Sequence, residues 1–203
     1  YMSSGVGINI SGAVYYLSTD GSTWNVANGV SIGTWTANQW NHFAFVRNGS
    51  TFTPYINGVA GSTASTASAI TTNRQAYGIG NNAQGFTSPI GHISNFRIVK
   101  GTAVYTAAFT APTSALTAIS NTALLTCQNT TIIDNSTNAI TLTAAGNAVP
   151  SKFNPFGSTN TAATSPWSPT VEGGSMYFDG TGDYLQIADS PTFDFGTRNF
   201  TWE

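Results

Sequence analysis

The sequence predicts an all-β protein of sandwich type, and three observations carry that expectation. Only 7% of the 203 residues are charged while 12% are aromatic, so a core can be filled without the long charged side chains that populate helix surfaces. No stretch sustains an apolar period of 3.6 residues. Residues 39–59, QWNHFAFVRNGSTFTPYINGV, hold two runs of aromatic and β-branched residues, each followed by Asn-Gly. That dipeptide supplies the positive φ of tight hairpin turns.

Taken in order, Val14–Leu17 reads as a short strand and Ser18-Thr19-Asp20-Gly21-Ser22 as a turn. Trp24–Val26 and Val30–Trp35 read as two further strands divided by Ala27-Asn28-Gly29. In the hairpin that follows, Asn41, Phe43, Phe45 and Arg47 share one strand face and Trp40, His42, Ala44 and Val46 the other. Both faces are largely apolar, as expected of a central strand covered on both sides. Residues 60–73 form a low-complexity Ser/Thr/Ala run, 76–80 a small-residue strand, and 90–99, IGHISNFRIV, one long strand. Further strands are expected at 124–128 and 140–143, and 148–170 reads as a long irregular loop rich in Pro, Ser, Thr and Asn. Residues 175–187, SMYFDGTGDYLQI, read as strand, turn, strand, with another strand over 193–203.

The residues of the first hairpin, W-N-H-F-A-F-V-R-N-G with a Y-I-N-G-V strand end, resemble the central hairpin of laminin G-like modules. These belong to the concanavalin A-like lectin/glucanase group of jelly-roll β-sandwiches. Trp40, His42, Asn57 and Gly58 occupy the motif positions. Residues 90–99 resemble the strand that closes such a module, with Ser94-Asn95 in place of the usual acidic pair. The following KGTAVYTAAFTAPTSAL resembles the link between repeats in large multi-repeat proteins of the family and in structural proteins of marine phages, cyanobacterial ones especially. IIDNSTN (132–138) and MYFDGTGDYLQI (176–187) resemble the opening half of a module.

The resemblance therefore implies a reversed order. Residues 1–112 match the C-terminal part of a module, 113–120 a linker, and 121–203 an N-terminal part. Two arrangements explain this: a window cut across a tandem array, or one permuted module whose halves fold together. Unless the halves meet, each has open sheet edges that a partner must pair.

Composition excludes several functions. Net charge is −2 with no cluster of Lys or Arg, which argues against binding nucleic-acid phosphates. Cys127 stands alone, so no internal disulfide forms. No apolar run is long enough to span a bilayer. The glucanase branch of the family carries clustered acids on one strand, and retaining hydrolysis needs two carboxyls about 5 Å apart. Residues 1–112 contain one acid, Asp20, whereas Glu172, Asp179, Asp183, Asp189, Asp194 and Glu203 crowd the C-terminal end. Catalysis is not expected.

Two binding chemistries are. Asp179 and Asp183 sit on a glycine turn that can offer carboxylates and carbonyls to calcium, or can hydrogen-bond their own turn instead. Trp24 with Asn25, and Tyr77 with Asn81 and Asn82, are candidates for stacking on and bonding to carbohydrate, as the resemblance implies. Asn48, Asn129, Asn135 and Asn199 begin glycosylation sequons. The sequence thus points to a non-catalytic building block of a virion fibre or extracellular surface array. Its expected partners are copies of itself, neighbouring repeats and surface glycans. The alternative is a calcium-dependent lectin or adhesin.

Overall fold

The computed structural model describes residues 6–9, 12–70, 77–81, 89–156 and 173–203. Among them there is no α-helix; one 3-10 turn (Pro191–Phe193) accompanies sixteen strands. These are β1 (Val6–Asn9), β2 (Val14–Leu17), β3 (Ala27–Ser31), β4 (Phe43–Asn48), β5 (Thr51–Ile56), β6 (Val59–Ala60), β7 (Ala64–Ser65) and β8 (Tyr77–Ile79). They continue as β9 (Ile90–Ile93), β10 (Phe96–Lys100), β11 (Thr122–Thr126), β12 (Leu142–Ala145), β13 (Val149–Ser151), β14 (Ser175–Asp179), β15 (Tyr184–Ile187) and β16 (Phe200–Trp202). Two compact units form, each from segments separated in the sequence: 1–76, 98–111 and 189–203 in one, 77–97 and 112–188 in the other.

In the first unit β10, β16, β4, β5 and β6 run side by side, with β7 also on β5. β16 lies antiparallel between β10 (Val99 opposite Thr201) and β4 (Thr201 opposite Val46). The 39–59 hairpin is as expected, β4 pairing β5 from Phe43–Ile56 to Asn48–Thr51. One face of β4 packs Phe45 among Phe52, Phe200 and Tyr15, the last brought by the β1–β2–β3 sheet, with the Tyr15 ring 5.0 Å from that of Phe45. The other face, Ala44 and Val46 with Tyr55 of β5, is covered by Ala103, Tyr105 and Phe109. Residues 101–111 are thus a packed strap. It is fixed where Phe109 N–H donates to the Gly58 carbonyl (3.1 Å) and Val104 N–H to Thr201 Oγ1 (2.8 Å).

The fully buried Arg47 guanidinium ties this unit together. It donates to the carbonyls of Gly49 (3.0 Å), Gly196 (2.7 Å), Thr66 (3.3 Å) and Ser68 (3.1 Å), and lies 4.9 Å above the Phe52 ring. Multiple carbonyl acceptors are what make a buried cation tolerable.

Two strand expectations change here. The strand expected at Trp24–Val26 does not form, and the one expected at Val30–Trp35 ends at Ser31: β3, Ala27–Ser31, runs through the expected turn instead. Gly29, at φ +71°, is an extra residue between the Asn28–Tyr16 and Val30–Tyr15 pairs. It is a bulge that only a residue tolerant of positive φ can make. The long strand expected over 90–99 is broken into β9 and β10 by Asn95 at φ +56°. Asn95 is buried and its amide works as a junction, donating to Ser94 Oγ (2.7 Å) and accepting from Leu116 N–H (2.9 Å) and Gln128 Nε2 (2.6 Å).

The second unit is built on a folded ribbon. β12 pairs β15 (Leu142 opposite Ile187) and β13 pairs β14 (Val149 opposite Tyr177), with β8 added beside β15 and β9 beside β14. The segment 175–187, expected as strand–turn–strand, is therefore not a hairpin. Its two strands lie in different sheets, and the ribbon bends between them at 146–148 and 180–183. Part of the loop expected over 148–170 is strand β13; residues 157–170 of it lie outside the described residues. The stretch 113–120 has no regular structure, yet Leu116 and Thr117 are held by Gln128 (2.7 Å) and the buried Arg97 (2.7 Å). The 132–138 turn is organised by Asp134, whose carboxylate accepts N–H groups of Leu125, Ser136 and Ile140.

Candidate functional site

The bend of the ribbon carries the two expected metal ligands. Asp183 is wholly buried, and its carboxylate accepts the N–H of Asp179 (2.5 Å) and of Asn147 (2.5 Å). It replaces ladder bonds where the strands leave one sheet for the other. Gly146, at φ +66°, leaves room for it, since a Cβ there would lie 2.4 Å from Asp183 Oδ1. Asp179 accepts from Asn147 Nδ2 (3.1 Å) and Thr181 N–H (2.8 Å), which hold its carboxyl below the usual range. Both carboxylates thus bond their own corner. No cluster of three or more His, Cys, Asp or Glu side chains able to hold a metal occurs among the described residues.

Next to this corner, strict alternation puts Met176 and Phe178 of β14 inward, both fully buried, and Tyr177 and Asp179 outward. The registers place Val149 and His92 on either side of Tyr177, and Ile90 opposite Asp179. His92 and Tyr177 rings lie 5.1 Å apart, and the Phe153 ring is 4.9 Å from His92 at 64°. His92 Nδ1 meets Ser175 Oγ at 3.0 Å, and partial burial pushes its pKa down, so the imidazole is neutral at pH 7. Ile90 is 81% exposed, Phe153 59% and Val149 50%. The outer face of β13–β14–β9 is thus a strip of rings and aliphatic groups, ended by the Asp179–Asn147 pair.

The residues expected to bind carbohydrate are placed differently. Trp24 is half-buried, its ring 5.3 Å from Tyr16 and closed over the backbone of Gly7. Asn25 spends both ends of its amide on Thr19, at 3.0 and 2.9 Å. The neighbouring turn is knotted by Asp20, which accepts from Ser22, Thr23 and Ser18 and is held far below the usual carboxylate range, first by Thr23. Tyr77 is half-buried in β8 and Asn81 is buried; Asn82 lies outside the described residues. The structure brings Trp24 to Asn25 only as parts of one turn, in which the Asn25 amide bonds Thr19 through both Oδ1 and Nδ2.

An imidazole–carboxylate approach joins residues far apart in sequence. His42 Nε2 lies 3.4 Å from Glu203 Oε2, which also accepts from the Tyr105 hydroxyl (2.5 Å). Tyr105 and Phe109 stack at 3.6 Å and both meet the His42 ring edge-on. This is a carboxylate sealed beneath the strap. The acids that catalysis would require were expected to be missing from 1–112, and His42 had no acidic neighbour in sequence; Glu203 reaches it only through the β16–β4 pairing.

Sequence reasoning missed Tyr177, His92 and Phe153, which are separated by up to 85 positions. The signal was present: in S-M-Y-F-D an aromatic residue occupies the face opposite Met176 and Phe178.

No curated protein and no solved structure matches the chain. Residues 3–108 match the family model of the concanavalin A-like lectin/glucanase superfamily, laminin G type. That span is more than half of the 203 residues, it contains the β4–β5 hairpin and β9–β10, and the chain belongs to this superfamily.

Proposed function

We propose that the protein is a non-catalytic, glycan-recognising module of a repetitive extracellular or virion surface protein. The observation that carries the reading is the outward strip of Tyr177, His92 and Phe153 on β13–β14–β9, ended by Asp179 and Asn147. Sugar rings stack on aromatic faces, while carboxylate and amide groups bond their hydroxyls. Membership of a superfamily of lectins and glucanases supports carbohydrate as the ligand class. Of the seven described acids, Asp20, Asp134, Asp179 and Asp183 are occupied in turns and Glu203 is sealed by the strap, while Asp189 and Asp194 flank the 3-10 turn Pro191–Phe193. This favours binding over hydrolysis, which needs a free carboxyl pair.

An extracellular or virion setting fits the low charge and the family, whose modules are commonly extracellular. No helix among the described residues is long and apolar enough to cross a membrane. The pairing of β16 with β4 and of β14 with β9 joins the 1–112 and 121–203 parts within one chain. It supports one permuted module over a window on an array, and leaves assembly with other copies or repeats to surfaces rather than missing strands.

Glycan-array binding of the purified chain, with and without calcium, tests the reading. Binding that survives chelation and is lost in Tyr177→Ala is the expected result. Binding that requires calcium would favour the lectin alternative centred on Asp179 and Asp183. No binding to any glycan would remove the recognition function.

A further inference from the structure

We infer that residues 189–203 are an exchangeable arm, and that the slot they fill between β10 and β4 accepts the same arm from a second copy of this chain. β15 ends at Ile187 in the second unit, whereas 189–203 belong to the first. The crossing is made by 188–190, which have no regular structure, and Ala188, Asp189 and Pro191 are exposed. No strand is missing from the chain, but one is transferable. Such exchange is independent of what the module binds.

The arm keeps its own local shape. Ser190 Oγ caps the 3-10 turn by accepting from Thr192 N–H (3.3 Å), and Arg198 N–H donates to the Phe195 carbonyl (2.9 Å). It anchors by the buried rings of Phe193, Phe195 and Phe200. Arg47 donates to the Gly196 carbonyl (2.7 Å), Lys100 Nζ to that of Pro191 (2.8 Å), Gly101 N–H to that of Asn199 (2.6 Å) and Val104 N–H to Thr201 Oγ1 (2.8 Å). All four partners lie in the unit the arm joins, within 1–76 and 98–111. The same bonds therefore form with an arm arriving from another copy, and only the path of 188–190 differs. That is the condition for exchanging an identical element between protomers.

The slot also specifies its occupant. β16 is three residues long and lies inside the sheet, so its withdrawal bares the facing edges of β10 and β4 together. Two open edges demand a strand. The strand that fits both registers, with Thr201 opposite Val46 on one side and Val99 on the other, is another β16.

Full-length copies labelled only at valine methyls are mixed with copies labelled only at threonine methyls. The mixture is carried through the urea midpoint, refolded at two concentrations about tenfold apart and separated by size. Exchange obeys mass action, so the ratio of dimer to monomer should rise about tenfold between the two. In the dimer, nuclear Overhauser contacts from Val46 and Val99 of one copy to Thr201 of the other are expected. A dimer without these contacts between copies would show association through surfaces and overturn the exchange. A chain that stays monomeric at both concentrations would overturn it as well.

Discussion

Arg47 Nη1 donates to the carbonyl of Gly196 at 2.7 Å, linking the central hairpin to a residue 149 positions away. The same guanidinium holds Gly49, Thr66 and Ser68. Replacing it by Met keeps the apolar stem and leaves four carbonyls to find other donors. Arg47→Met is expected to cost about 3 kcal/mol or more, at about 1–3 kcal/mol for each buried group left unsatisfied. Arg47→Lys should recover only part, since an ammonium cannot span the four acceptors. Urea denaturation checks this: the midpoint should fall in the order wild type, Lys, Met, with unchanged slope.

The two Asn-Gly turns look alike in sequence and differ in the fold. A Cβ on Gly58 would lie 1.7 Å from the Phe109 carbonyl oxygen, whereas one on Gly49 meets nothing within 4 Å. Gly49→Ala should therefore cost only the left-handed backbone, about 1–2 kcal/mol. Gly58→Ala should cost clearly more and loosen the strap. Thermal melts of both variants, with limited proteolysis near residue 105, would show whether the strap is held there.

Removing the buried carboxylate at the ribbon bend leaves the N–H groups of Asp179 and Asn147 without acceptors. Asp183→Ala is expected to destabilise by about 3 kcal/mol, within the range for losing bonds to a charged group. Because these oxygens already hold backbone donors, calcium at millimolar concentration should leave the melting temperature of the unaltered protein unchanged. A rise with calcium would indicate a ligand set formed around this corner.

Asp20 and Asp179 are both held below their ordinary range, chiefly by Thr23 and Asn147 respectively. A depressed folded-state carboxyl contributes stability above its unfolded pKa, near 3.9, and that contribution is lost as pH falls through the folded value. Stability should thus be flat in these groups above about pH 5 and decline below about pH 4. Asp20→Asn should flatten part of the acid limb in a series of melts from pH 2 to 6.

Cys127 is buried, and desolvation pushes its thiol up to about 12. It should resist a neutral thiol reagent at pH 8 in the folded protein and react fully once urea unfolds it. Prompt labelling under native conditions would contradict the burial of β11's end.

Legibility followed locality. The β4–β5 hairpin was readable because both turns and both faces lie within twenty consecutive residues. Strand 90–99 kept its pattern across Asn95, so periodicity could not reveal a break made by a side chain bonding Leu116 and Gln128. The Gly29 bulge imitated a turn because the same positive φ serves both. In the candidate site, Asp179 and Asp183 were found as residues, but their roles depended on Asn147, which comes from the facing segment of the ribbon, 32 and 36 positions earlier. Tyr177, His92 and Phe153 became a group only once the β9–β14–β13 registers were known.

The bent ribbon has a consequence for cooperativity. β12 continues into β13, and β14 into β15, so the same two segments build both three-stranded sheets of the second unit. A one-residue slip in one ladder must be matched in the other or absorbed at Asp183. Neither sheet can therefore open alone. In native-state hydrogen exchange the amides of Met176 in one sheet and Leu185 in the other should gain and lose protection as a single event, with the bend acting as the clasp between them.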